Sequence, residues 1–308
     1  MHQKSIEEAK KRLFRGELVI FPTETVYGIG GNANNQKSIE LIYKTKNRPI
    51  SNPLICHFAN IEEIEKNFIL KDKDYELANT FWPGPLTLIL EKKINSMISP
   101  LLSNNKNQVG CRIPNNKISL SLLSIIDFPI AAPSANIATR TSVTSIEDLD
   151  YKLKEIFYID GGSSVLGLES TVIKTTKNGC KILRLGSLTI EDIKIKFPKY
   201  EISIDQSDVS PGNQLKHYSP IKPIRINVNF VKKNETLLNF GINELASDIK
   251  SLNLSIDENL SDASYNFYNY LNILDSISCD GIAVAPIPDQ GLGKTINDRL
   301  RRASHKDE

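Results

Sequence analysis

Four consecutive apolar residues, Leu18-Val19-Ile20-Phe21, are cut off by Pro22, and this abrupt stop constrains the N-terminal half more than any other feature. A short apolar run bounded by proline reads as a buried strand, whose carboxyl end presents Thr23, Glu24 and Thr25 together. Polar groups so placed face a cleft. Gly28, Gly30 and Gly31 follow, where the backbone can turn tightly or approach a ligand, and then Ile39, Ile42 and Tyr43 recur at helical spacing. Pro53 to Phe58 reads as a second strand, carrying His57. The order strand, glycine-containing turn, helix, strand predicts an opening βαβ unit.

The remainder suggests two units, since 308 residues are about twice the ~150 of a typical domain. Residues 86–90, 129–132, 157–159, 170–174 and 181–184 are strand-like, and 60–68, 72–82, 117–126, 145–155 and 189–196 have helical patterns. They interleave without strict alternation, which predicts an α/β domain over residues 1–203: a twisted mixed sheet with flanking helices. Periodicity fails over 204–223, where three prolines and a glycine read as an ordered linker. A strand at 224–228, helical patterns at 243–252 and 262–275, a strand at 281–286 and a helix at 295–303 predict a smaller C-terminal α/β, Rossmann-like domain over 224–308.

Composition removes several classes. Thirty-eight basic residues against 36 acidic ones leave a net charge of +2, so no global field draws nucleic acid or a membrane surface, and any anion site is local. Cys56, Cys111, Cys180 and Cys279 form no CxxC pair, which argues against a zinc site or a disulfide scaffold and predicts reduced, mostly buried thiols. No stretch approaches the ~18 apolar residues of a membrane span, and the N-terminus lacks a signal-like apolar segment. A cytoplasmic chain is expected.

Lys44, Lys46 and Arg48 support two readings. They fit the solvated end of a helix, where positive charge meets the dipole favourably. They also fit a polyphosphate site, because Pro49 and Asn52-Pro53 stiffen the segment just after the charges, and Arg and Lys together suit phosphate oxygens. His57, among apolar neighbours, reads as a core group or as a ligand contact. Arg112 lies near Pro114 on an otherwise apolar strand, and a buried guanidinium there needs an anionic partner. Gly291-Leu292-Gly293-Lys294-Thr295 stands where a phosphate-binding loop would, but that pattern needs a glycine at position 288, which is Pro288.

The same residues carry a resemblance. Pro22-Thr23-Glu24-Thr25-Val26-Tyr27-Gly28, Lys46-Asn47-Arg48-Pro49 and Asn52-Pro53-Leu54-Ile55-Cys56-His57 are similar to the YrdC-like family. Gly110-Cys111-Arg112-Ile113-Pro114, Ala132-Pro133-Ser134-Ala135-Asn136, Glu169-Ser170-Thr171-Val172 and Arg184-Leu185-Gly186 continue the likeness in the same order. The whole chain resembles the family's long, two-domain form.

The resemblance implies a YrdC-like N-terminal domain and synthesis of threonylcarbamoyl-AMP from L-threonine, bicarbonate and ATP. Mg²⁺ would enter mainly through the ATP phosphates, with no protein metal site. It implies ATP contacts at Lys46, Arg48, Asn52, Gln108, Ser134, Asn136, Ser142, Arg184 and Tyr218, with Lys46 and Arg48 carrying the catalysis. Threonine contacts would fall at Thr25, His57, Arg112, Ala132 through its backbone, and Ser170. Either His57 or bicarbonate would take the amine proton. Pro211-Gly212 and Lys216-His217-Tyr218-Ser219-Pro220 resemble a segment that folds over the active site; a plain hinge is the other reading. The product would pass to the tRNA threonylcarbamoyl-transfer machinery, with no membrane and no direct tRNA binding required. A non-catalytic RNA-binding module on the same fold is the rival, one that the near-zero net charge disfavours.

Overall fold

The computed structural model describes residues 2–205 and 218–305. Helix α1 (His2–Phe14) buries Ile6, Ala9 and Leu13, spaced three and four apart as one helical face requires. Strand β1 (Val19–Phe21) is buried throughout. Because successive strand residues point to opposite faces, Val19 and Phe21 join one core while Leu18 and Ile20 join the other. The first core includes α1 and α5 (Lys117–Ser124); the second includes α2 (Gln36–Lys46) and α4 (Asp72–Phe81). Both faces of the sheet are therefore covered.

That sheet has ten strands. Its order is β1, β2 (Gly28–Asn32), β7 (Ile130–Ala131), β3 (Ile55–His57), β6 (Gln108–Arg112), β5 (Leu86–Lys92), β8 (Thr171–Thr175), β9 (Gly179–Arg184) and β10 (Glu201–Ile204), with β4 (Phe68–Ile69) paired to β5. The β3–β6, β5–β8 and β9–β10 pairs are parallel and the others antiparallel. Asn60 caps α3 (Ile61–Asn67), and Thr189 forms a capping box on α6 (Ile190–Lys196).

The second sheet is parallel throughout, in the order β11 (Ile224–Arg225), β14 (Gly281–Val284), β12 (Glu235–Asn239) and β13 (Ser251–Asn253). Helices α7 (Leu260–Ser276) and α8 (Leu292–Ala303) pack on it through Phe267, Leu271, Leu274, Ile296 and Leu300. Val26 and Leu168 of the N-terminal part belong to this same core, so apolar contact continues across the domain boundary.

The structure departs from the sequence reading in several places, and residues 157–159, expected as a strand, make only an isolated bridge between Tyr158 and Ile20. Gly28 to Asn32 is a strand antiparallel to β1, not a turn, and the glycines serve packing: a Cβ on Gly30 would lie 2.5 Å from Ile130 and 2.7 Å from Phe21. The opening unit is accordingly no simple βαβ, since β7 lies between β2 and β3. Residues 145–155 form two single 3₁₀ turns, because the side chains of Ser145 and Asp150 each cap a new start. Residues 243–250 contain no helix; Asn243 and Ser247 side chains bond nearby backbone instead, and β12, unanticipated, supplies the central strand. Gly30→Ala should cost about 1–3 kcal/mol by overpacking, measured by chemical denaturation; a change below ~0.5 kcal/mol would contradict the packing account.

Candidate active site

One cleft, open in part to solvent, is lined by residues of the N-terminal domain and by Tyr218. The sheet register builds one end of it. β3 and β6 run parallel with His57 beside Arg112, and β7 runs antiparallel with Ile130 beside His57, so that Ala132 follows immediately. Residues 23–28 cross the same opening after β1, and Ser170 enters just before β8. All five predicted threonine contacts, Thr25, His57, Arg112, Ala132 and Ser170, line this cleft.

Arg112 has its anionic partner within the chain. Its Nη2 lies 2.8 Å from Glu24 Oε1, with both side chains nearly fully buried. Glu24 Oε2 and His57 Nδ1, beside this pair, have no hydrogen-bond partner. Buried polar atoms left so are costly and mark a place where a ligand can bind. Burial, aided by the Arg112 charge, brings His57 down to about 3, so the imidazole is neutral at physiological pH.

The predicted nucleotide contacts divide. Arg48, Ser134, Arg184 and Tyr218 line the cleft, whereas Lys46, Asn52, Asn136 and Ser142 stand one bond behind its wall. The three cations also part company. Lys44 is exposed, but Lys46 falls on the buried stripe of α2 with Ile39, Ile42 and Tyr43. Its Nζ donates to Ser134 O at 2.5 Å and to Asn136 O, and burial pushes it well below the usual lysine range, with Arg48 adding repulsion. Asn47, in the left-handed region at φ 51°, ends the helix and turns Arg48 toward the cleft. Arg48 donates to Asn52 O at 2.9 Å, Asn52 Oδ1 at 2.5 Å and Pro53 O at 2.9 Å; burial brings it down to about 10. Ser134 donates to Asn136 Oδ1, and Asn136 Nδ2 reaches Ile137 O and Arg140 O, both at 2.8 Å.

Arg184 donates to Ser170 O at 2.7 Å and Ser170 Oγ at 3.1 Å, which joins the two ends of the cleft. Ser142 donates to Glu169 Oε1 at 2.5 Å. Gln108 is not among the residues lining the cleft: it is exposed at the start of β6, accepts from Lys174, and stands four residues, ~13 Å at strand rise, from Arg112. Pro211, Gly212, Lys216 and His217 lie outside the described residues. Lys294 and Thr295 of the glycine-rich segment bind the N-terminal domain, at Glu191 and Gly186 O, rather than forming a phosphate loop.

Sequence reasoning assigned no role to Glu24 or Glu169. Glu24 had a signal, since a buried Arg112 demanded a carboxylate nearby. Because the folded pKa of His57 lies below its unfolded value, the unfolded chain takes the proton first. His57 therefore adds acid lability: stability is complete above about pH 6.5 and falls toward pH 3. His57→Gln should remove that component, seen as a smaller loss of melting temperature between pH 6.5 and 4 than in the unaltered protein; parallel curves would refute the buried neutral imidazole.

A family model described as "Telomere recombination" matches residues 11–186, and one described as "Threonylcarbamoyl-AMP synthase, C-terminal domain" matches residues 188–305. The threonylcarbamoyl-AMP synthase of Pyrococcus abyssi is 33% identical over 328 residues, covering 97% of this chain and 95% of its own length. That of Bacillus subtilis is 33% identical over 323 residues, covering 97% and 92%. A crystal structure of P. abyssi Sua5 complexed with L-threonine superposes with a TM-score of 0.86 at 31% identity, over 99% of this chain and 95% of that one. A cleft of this construction, carried on both matched domains, means that the chain belongs to the threonylcarbamoyl-AMP synthase family in its two-domain form.

Proposed function

We propose that this chain is a threonylcarbamoyl-AMP synthase, a nucleotidyltransferase that joins L-threonine, bicarbonate and ATP into threonylcarbamoyl-AMP, releasing pyrophosphate and water. One observation carries the reading: the buried Arg112–Glu24 pair and neutral His57 stand in the same cleft as Arg48 and Arg184. An amino-acid zwitterion matches the first group, its carboxylate toward Arg112 and its ammonium toward Glu24 and the unpartnered His57 Nδ1. Phosphates match the second. Threonine's amine forms a bond to the carbon of bicarbonate with loss of water, and a carbamate oxygen then attacks the α-phosphorus, breaking the bond to pyrophosphate. A carbamate decomposes quickly in water, so in-line placement and a closed site supply much of the rate.

Burial makes His57 a weak base, and the amine proton has two further acceptors at hand, bicarbonate and the Glu24 carboxylate. Arg48 neutralises charge growing on the departing pyrophosphate. Lys46 supports this from behind, fixing Ser134 and Asn136 through their carbonyls. Among the described residues no group of three or more His, Cys, Asp or Glu side chains is arranged to hold a metal. Mg²⁺ would arrive on ATP, held mainly by phosphate oxygens and water, and supply further charge neutralisation there. The product suits a downstream enzyme that transfers the threonylcarbamoyl group to tRNA.

The test is pyrophosphate release with ATP, threonine and bicarbonate each omitted in turn: release should require all three, and release indifferent to threonine would remove the assignment. Arg48→Ala should lower kcat by about 10²-fold or more with the circular dichroism spectrum retained; unchanged turnover would remove its role.

A further inference from the structure

The C-terminal domain supplies a fully buried arginine that stands behind the cleft wall, against Glu169 and Tyr218. Arg299, on α8, has no exposed surface. Its Nε donates to Glu169 Oε2 at 2.9 Å, its Nη2 to Leu185 O at 2.6 Å and its Nη1 to Asp298 Oδ2 at 2.5 Å. The guanidinium carbon lies 4.5 Å from the centre of the Tyr218 ring. Tyr268, from α7, donates to the other Glu169 oxygen at 2.8 Å, beside Ser142. Glu169 and Tyr218 both line the cleft, so two residues of its wall are held by the second domain.

The sign of the charges gives this contact a consequence for the reaction. Glu169 is a carboxylate in the wall of a cleft that the synthase reading fills with phosphates. Burial alone would raise its pKa, but Arg299, Arg184 and Ser142 overcome this and keep it ionised. Burial likewise works against the charge on Arg299, and Tyr218, Glu169 and Asp298 around it hold the guanidinium well above its ordinary range. Without Arg299 the Glu169 charge would repel the nucleotide and draw on Arg184 instead.

We infer that Arg299 is a positioning residue for the nucleotide: by neutralising Glu169 and supporting Tyr218 it lets docking of the C-terminal domain set the affinity for ATP, while threonine binding stays with the N-terminal sheet. This rests on the synthase reading for which end of the cleft takes ATP. The experiment uses the full chain. Calorimetry measures binding of a non-hydrolysable ATP analogue and of L-threonine, and steady-state kinetics measure KM for ATP.

Arg299→Met should weaken the analogue and raise KM for ATP roughly 10-fold, inside the ~5–150-fold range of coupled sites, with threonine affinity within about twofold. Glu169→Gln added to Arg299→Met should recover much of that loss, because no carboxylate then opposes the phosphates. A role in packing alone predicts the reverse, a double variant worse than the single one. Unchanged analogue affinity in Arg299→Met, parallel loss of threonine and analogue, or no recovery in the double variant would each overturn the inference. Should Arg299→Met fail to fold, Glu169→Gln alone removes the carboxylate while Arg299 stays, so the analogue should bind at least as tightly as to the unaltered protein, and a severalfold loss there overturns the inference. If the unaltered protein binds the analogue but shows no threonine-dependent turnover, the synthase reading fails while the Arg299 comparison still stands or falls on binding.

Discussion

Burying guanidinium charge in one cleft is the constraint on which the rest of the structure depends. Arg48, Arg112 and Arg184 all line it, and each loses several kcal/mol of hydration unless polar partners replace the water. Each is matched differently. Arg112 faces Glu24, Arg184 grips the carbonyl and hydroxyl of Ser170, and Arg48 rests on oxygens of Asn52 and Pro53. Carbonyl oxygens orient a guanidinium without cancelling its charge, so the cleft keeps a positive surplus aimed before any ligand arrives. A preorganised field of that kind acts without reorganisation during the reaction.

The two ends of the cleft are made by different means. His57, Arg112 and Ala132 sit on or beside three neighbouring strands, and their mutual distances are set by hydrogen-bond register, which a slip of one residue would reverse to the other face. The end proposed for the nucleotide has no such template. It is gathered from Arg48, two residues after α2, the loop after β7, the end of β9 and Tyr218, and its carboxylate is held by two helices of the second domain. One end is a property of a sheet and the other of a domain interface.

That difference also explains what was legible in the sequence. The apolar run ended by Pro22 and the apolar strand bearing His57 are local signals, and both led to cleft residues. Lys46 and Arg48 were visible as charges, but their separation into a buried support and a cleft-facing group depends on helix phase and on the left-handed turn at Asn47. Gly28 to Asn32 was misread because glycine signals a turn locally, whereas here the bulk of Phe21 and Ile130 requires it within a strand. Gln108, an ATP contact that the resemblance implies, lies exposed at the opposite end of β6 from Arg112. Arg299 could not be read at all, since its partner lies 130 positions away.

His57 shows why the neutral form matters in such a field. An imidazolium beside Arg112 would add one more buried positive charge and would repel the ammonium of an incoming amino acid. Burial and the neighbouring guanidinium together remove that proton, leaving a ring that meets Phe21 edge-on at 5.9 Å and keeps Nδ1 open for one hydrogen bond. The same charge that prepares Arg112 for a carboxylate thus silences its neighbour as an acid. The corner between Glu24, Arg112 and His57 then sets a carboxylate, a guanidinium and a neutral imidazole side by side.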